Sequence, residues 1–100
     1  MNLTTEFDTI REWADKRGIY AKADSKTQLV KLVEEMGELS RAILKNNEEE
    51  LKDAVGDCVV VLTNIAALNH LRIEDCINSA YDVISARTGK MVNGAFKKDN

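Results

Sequence analysis

Residues 54–68 form a long stretch that is apolar except at Asp57, Thr63 and Asn64, and this stretch constrains the fold more than any other part of the sequence. Its CVVVL run has the composition of a buried strand, but the stretch continues far beyond the length of a typical strand. A helix that is apolar almost all round belongs in the middle of a bundle or at a subunit interface. We therefore expect the chain to be organised around one central helix.

The remainder of the chain also favours helices, because it contains no proline and strong helix formers dominate. The first predicted helix begins at Thr4 or Thr5 and ends before Gly18, since glycine accepts the left-handed conformation that often ends a helix. After a connecting segment, a second helix is predicted to begin at Ser25, which would form a capping box with Gln28.

Two further helices follow. Asn47 is predicted to cap the third, with Glu50 at the reciprocal capping position, and this helix runs to about His70. A fourth helix from about Ile73 to Arg87 precedes a short basic tail. The sequence therefore predicts an all-α, four-helix-bundle-like fold with antiparallel central helices, in one domain that spans the whole chain.

Chain length and charge narrow the possible partners. At 100 residues the chain is near the size at which helical proteins often gain stability by self-association, so we expect an oligomer. A net charge of −3 and a pI near 5.1 argue against binding to nucleic acid polymers.

Neither a membrane span nor a signal peptide is visible, which predicts a soluble, cytoplasmic protein. Cys58 and Cys76 fall in apolar helical pattern, and we expect buried, reduced thiols.

Acidic residues recur at helical spacing on the two middle helices. Each of these helices concentrates its acids in one narrow sector and carries a like-charge i,i+4 pair, which costs free energy. Asp57 is the sharpest anomaly, because a lone ionised carboxylate in an apolar run costs several kcal/mol unless it is paired. The short connection at residues 46–47 makes the two helices antiparallel neighbours, so the two acid sets can face each other. The acids concerned are Glu34, Glu35, Glu38, Asp53 and Asp57.

Carboxylate oxygens alone favour hard cations, so this pattern predicts a site for Mg²⁺, with Mn²⁺ able to substitute. A cluster of four or five acids suits two or more such ions. The alternative for the glutamates is an ordinary solvated helix face with Lys31 and Arg41 as surface partners. That alternative does not account for Asp57.

The two motifs carry a resemblance to a known family. The segment KLVEEMGEL, followed after a short turn by LKDAVGDCVVVLTN, resembles the MazG-like nucleotide pyrophosphohydrolases, an all-α superfamily with an EExxE motif on one helix and an ExxD motif on the next. The likeness extends from WADKRGI to GKMVNGAF, so it covers nearly the whole chain. It is to the short, single-domain members of the family.

The resemblance implies metal ligation by Glu35, Glu38 and Asp57, with Glu34 as a ligand or as a partner of one. The glutamate expected three residues before Asp57 is Ala54 in this sequence. Asp53, one residue earlier and on the same helical face, is the substitute ligand that we expect.

The resemblance also implies an activity: hydrolysis of a nucleoside triphosphate between the α and β phosphates, giving a nucleoside monophosphate and pyrophosphate. The catalytic carboxylates would be Glu34, Glu35 and Glu38, of which Glu34 or Glu35 orients or deprotonates the attacking water. A homodimer, or a tetramer built from two dimers, is expected. The rivals are a dUTPase-like activity, phosphoribosyl-ATP pyrophosphohydrolysis, and a non-enzymatic helical interaction module with a vestigial metal site.

Four further residues are candidates for substrate binding, and each has a plainer alternative. Trp13 matches the first-helix aromatics that lie near the base in relatives, but its spacing also fits a core position. Asn64 lies on the same helical face as Asp57, and it equally fits a satisfied interhelical amide. Arg87 and Lys90 match basic residues that meet phosphates in relatives, or they belong to a solubilising tail.

Overall fold

The computed structural model describes residues 3–99, and most of them are helical, which confirms the predicted fold class. The elements are α1 (Thr4–Lys16), α2 (Ile19–Lys22), α3 (Ser25–Leu44), α4 (Glu48–Leu68), α5 (Ile73–Ser85), β1 (Gly89–Val92) and β2 (Ala95–Lys98). Helix α4 is the centre of the fold, because it packs against each of the other four helices. The prediction of a central apolar helix is therefore correct.

Helix α3 begins at Ser25 as predicted, but its cap lies one residue earlier than expected. Asp24, and not Ser25, is the N-cap: its side chain accepts a hydrogen bond from the backbone N–H of Thr27, and the Thr27 hydroxyl accepts one from the backbone N–H of Asp24. The predicted pairing of Ser25 with Gln28 is wrong because Asp24 and Thr27 form the box, while the Ser25 hydroxyl accepts a hydrogen bond from the side-chain amide of Asn69.

The turn between α3 and α4 is formed by two asparagines. Asn46 adopts the left-handed conformation (φ 55°), which ends α3. Asn47 caps α4 as predicted, since its side chain accepts a hydrogen bond of 3.0 Å from the backbone N–H of Glu50. The Glu50 side chain does not accept the reciprocal hydrogen bond of a capping box, because the backbone N–H of Asn47 donates to the carbonyl of Ala42 instead.

Small side chains allow close helix packing around α4. Four of the buried apolar residues are alanines, one on α1, one on α3 and two on α4: Ala14, Ala42, Ala54 and Ala66. An alanine side chain occupies little space between two helix backbones. The antiparallel helices α3 and α4 can therefore pack closely against each other. The groove between these two helices carries the acidic residues.

The tail after α5 is a β-hairpin, which the sequence analysis did not predict. Strands β1 and β2 pair antiparallel, with Lys90 opposite Lys97 and Met91 opposite Phe96. Asn93 and Gly94 join them with φ angles of 52° and 81°, as a tight type I′ turn requires. Within residues 3–99, this hairpin packs against no helix.

Among the described residues, no single helix is long and apolar enough to cross a membrane. Helices α4 and α5 pass such a test only when they are joined, and the chain bends by 103° between them.

An ion pair ties the first helix to the last. The guanidinium of Arg11 donates two hydrogen bonds to Glu74, of 2.7 and 2.8 Å, in the bidentate arrangement that is strongest between these groups. Arg11 also contacts Asp8, and Arg72 contacts Glu74. The hydrogen bonds from Arg11 lower the pKa of Glu74 from its ordinary 4.5 to about 2. Helix α5 is thereby held against α1.

Glu74→Gln should lower the free energy of unfolding at neutral pH by about 1–3 kcal/mol, because the ionised acceptor of a partly buried charge-assisted pair is lost. A depressed folded-state pKa means that the contribution of Glu74 is present above about 4.5 and is lost as the pH falls towards about 2. Urea unfolding between pH 2 and 7 measures this difference, which should shrink in acid. The control is Glu12→Gln, which breaks an exposed pair with Lys16 and should have little effect.

Candidate active site

Three carboxylates converge in the groove between α3 and α4. Glu35 and Glu38 lie one turn apart on α3, and Asp57 faces them from α4. One oxygen from each of the three side chains lies within 4.8 Å of the other two. This is a spacing at which a single cation can contact all three oxygens.

Glu35 is the most buried member of the group. Only 6% of its surface is exposed, and its Oε2 atom has no hydrogen-bond partner among the described residues. Its Oε1 atom lies 3.2 Å from the ammonium of Lys31, which is shared with Glu34 at 3.6 Å. A buried carboxylate oxygen without a partner is costly, so this atom fits a position where a cation binds.

The carboxylates of the group repel one another. The negative charge of Glu35 raises the pKa of Glu38 above its ordinary value. Burial raises the pKa of Asp57, and the charges of Asp53 and Glu35 raise it further. The fold therefore holds these groups in positions where ionisation costs free energy, and a divalent cation between them would relieve that cost.

The remaining predicted acids lie beside the group. Glu34 is largely exposed and lines the adjacent cleft. Asp53 is one turn before Asp57 and lies outside the three-oxygen group, although its charge acts on Asp57. Its role as a metal ligand stays a prediction. Ala54, which stands where the family pattern has a glutamate, is buried in the helix interface.

A cleft of about 490 Å³ opens beside the carboxylates, towards α1 and α2. Glu34, Glu35 and Asp57 line it together with Lys31, and the rest of the wall is a mixture of apolar and uncharged polar residues. Trp13 lines it too and is 45% exposed, so it is not a core residue; Arg17 lies 5.2 Å from the centre of its ring. The position of Trp13 is compatible with the predicted contact to a base.

Asn64 lines the same cleft and is 2% exposed. Its Oδ1 atom accepts a hydrogen bond of 2.9 Å from the hydroxyl of Tyr20, on α2. Asn64 is thus an interhelical amide at the wall of the cleft, and its contact with substrate stays a prediction. Sequence reasoning missed Tyr20, because no spacing rule relates the short helix α2 to α4.

Arg87 and Lys90 do not line this cleft. Arg87 borders a separate apolar depression on α5, and Lys90 is exposed on β1. Within one chain the structure does not bring them to the carboxylates. Their predicted contact with substrate stays a prediction.

The donor set fits a hard divalent cation. All three converging groups are carboxylates, one oxygen is buried and unpartnered, and Lys31 is the one basic residue that forms an ion pair with any of them among residues 3–99. The neighbouring Cys58 carries a soft thiol, which hard cations disfavour, and burial and the charge of Glu35 raise its pKa.

Comparison with protein families agrees with this geometry. Residues 23–92 match the model of the MazG nucleotide pyrophosphohydrolase domain, and the chain therefore belongs to that family. The segment that matches contains all of α3 and α4, and with them every acid of the predicted site.

One curated relative is an uncharacterised 18.2 kDa protein from the rep–hol intergenic region of Haemophilus phage HP1. It is 39% identical over 62 residues, which are 62% of this chain and 38% of that protein. The chain therefore matches less than half of the length of this relative. No solved structure matches the chain.

Proposed function

We propose that this protein is a Mg²⁺-dependent nucleoside triphosphate pyrophosphohydrolase that releases a nucleoside monophosphate and pyrophosphate. The observation that carries the proposal is the convergence of Glu35, Glu38 and Asp57 around the unpartnered buried oxygen of Glu35, at the end of a cleft of nucleoside size. Membership of a family of nucleotide pyrophosphohydrolases supports it. A role in clearing surplus or non-standard nucleotides would be consistent with such an activity.

The three converging carboxylates would hold Mg²⁺, with Asp53 as a further ligand. When bound, Mg²⁺ supplies positive charge to the phosphate oxygens and makes a water molecule more acidic. The oxygen of that water forms a bond to the α-phosphorus, and the bond from this phosphorus to the α–β bridging oxygen breaks. The bridging oxygen leaves with the pyrophosphate.

Glu34 is the carboxylate that we assign to the attacking water. It lines the cleft next to the three-oxygen group but is not part of it, so we place it at the water and not at the metal. Glu35 is the alternative proton acceptor. Trp13 and Asn64 line the same cleft on the side away from the α3–α4 turn, and we propose that they contact the nucleoside.

Purified protein with Mg²⁺ should release pyrophosphate from at least one nucleoside triphosphate, and excess EDTA should stop the reaction. Glu38→Gln should lower kcat by about a hundredfold or more, because one of three ligand oxygens loses its charge. The matched control is Glu48→Gln, an exposed acid in the first turn of α4 that lines no part of the site. A coupled pyrophosphate assay measures the activity of the wild type, of Glu38→Gln and of Glu48→Gln.

The substrate panel for this assay should include dUTP and phosphoribosyl-ATP, since these separate the rival activities. Circular dichroism checks that both variants are folded. If the wild-type protein cleaves nothing with either Mg²⁺ or Mn²⁺, the helical interaction module is the better account, and the enzymatic proposal fails.

We also propose that the chain forms a homodimer or a tetramer of two dimers. Exposed apolar residues follow helical spacing on three helices, and a monomer would leave them in water. They are Leu29, Val33 and Met36 on α3, Val55, Val59 and Leu62 on α4, and Ile77, Tyr81 and Ile84 on α5. A second copy would also offer a route by which Arg87 and Lys90 reach a cleft.

Light scattering after size-exclusion chromatography should give a mass of two or four times the 11.2 kDa of the chain at micromolar concentration. Association would bury the apolar stripes, which supplies the driving force. A mass of one chain across this concentration range would show that the proposed assembly is wrong.

A further inference from the structure

A second, smaller cavity adjoins the three carboxylates on the side of the α3–α4 turn. Its volume is about 230 Å³, and it is lined by Glu38, Arg41 and Lys45 from α3 and by Glu50, Asp53 and Ala54 from α4. Glu38 belongs both to this cavity and to the three-oxygen group. The cavity and the larger cleft therefore lie at opposite ends of one groove, with the carboxylates between them.

The two ends of the groove differ in chemistry. The larger cleft has an aromatic ring in a wall of mixed apolar and polar residues, which suits a base and sugar. The smaller cavity is lined almost entirely by charged side chains, two of them basic. An elongated ligand with an apolar head and an anionic tail would fit the groove in only one direction.

Arg41 and Lys45 are available to bind an anion. Neither forms an ion pair with any residue in the described part of the chain. The Arg41 side chain leans back along α3, since its Nη1 atom lies 3.8 Å from the position that a Cβ would take on Gly37. The positive charge of Arg41 lowers the pKa of Glu38, against the opposite effect of Glu35.

Distances along the helix agree with the size of a phosphate chain. Arg41 is three residues after Glu38, which corresponds to about 4.5 Å along the helix axis, and Lys45 is about 6 Å further on. Long basic side chains from these two positions can contact the two phosphates beyond the one at the carboxylates. A guanidinium can bind a phosphate in a bidentate manner, and an ammonium adds a point charge.

We propose that Arg41 and Lys45 form the subsite for the leaving pyrophosphate, that is, the β and γ phosphates of the substrate. This rests on the proposed function and gives the substrate one direction in the groove: nucleoside in the larger cleft, α-phosphate at the carboxylates, and pyrophosphate in the smaller cavity. As the bond to the α-phosphorus breaks, the negative charge gained by the bridging oxygen develops next to Arg41. The lining holds three acids beside these two basic residues, and two of the acids, Glu38 and Asp53, are proposed metal ligands, which leaves Glu50.

The test is direct binding of magnesium pyrophosphate, measured by isothermal titration calorimetry on the full chain. The double variant R41Q/K45Q should bind it about tenfold or more weakly than wild type, because charge-assisted hydrogen bonds are lost. Its affinity for the nucleoside monophosphate product should be unchanged. The matched control is K22Q/K26Q, which removes the same charge from two exposed lysines that line neither cavity.

A second variant separates binding from charge compensation. R41K/K45R keeps both charges and should keep most of the affinity for pyrophosphate. The alternative role for Arg41 and Lys45 is only to offset the charge of the nearby acids. In that case R41Q/K45Q would bind Mg²⁺ more tightly, and its affinities for pyrophosphate and for the nucleoside monophosphate would fall by similar factors. That result, or an unchanged affinity of R41Q/K45Q for pyrophosphate, would overturn the subsite.

These outcomes are independent of the proposed function, because calorimetry does not require turnover. A wild-type protein that cleaves no nucleoside triphosphate would refute the enzymatic proposal by the pyrophosphate assay alone. A wild type that turns over, together with an R41Q/K45Q variant that has the wild-type KM for a nucleoside triphosphate, would refute only the subsite.

Discussion

The mutual repulsion of Glu35, Glu38 and Asp57 is the constraint on which the rest of the structure depends. Packing α3 against α4 brings three negative charges together, one of them with a buried oxygen that has no hydrogen-bond partner among residues 3–99. Lys31 offsets part of this charge from one side. Because a sequence selected only for stability would avoid such a group, its presence in this helix pair supports the proposed cation site.

Contacts elsewhere in the fold offset the free energy that the repelling carboxylates cost. Alanines at the helix contacts allow close backbone packing, the Asn46–Asn47 turn sets α3 antiparallel to α4, and the Arg11–Glu74 pair fastens α5 to α1. The groove has a cleft with an aromatic ring at one end, the three carboxylates in the middle, and Arg41 and Lys45 among acids at the other end. This order is consistent with the proposed binding of a nucleoside triphosphate.

Features with a strong local signal could be predicted from the sequence, and those that depend on tertiary contacts could not. The central helix followed from residues 54–68, and the facing of Glu35 and Glu38 by Asp57 followed from their spacing and the short turn. Tyr20 was missed because only the fold brings α2 to Asn64. The Asn93–Gly94 pair is a typical hairpin turn signal, but the basic composition of the flanking residues is typical of an irregular tail, and the hairpin was not predicted.

Thermal unfolding with and without Mg²⁺ tests the central claim most directly. In the absence of metal, Asp57→Asn should raise Tm, because it removes one of three repelling charges; Asp82→Asn, on the exposed face of α5, should not. Millimolar Mg²⁺ should raise the Tm of the wild type and of Asp82→Asn by several degrees and that of Asp57→Asn by little. A wild-type Tm that does not respond to Mg²⁺ or Mn²⁺, or an equal gain in Asp57→Asn, would contradict the account.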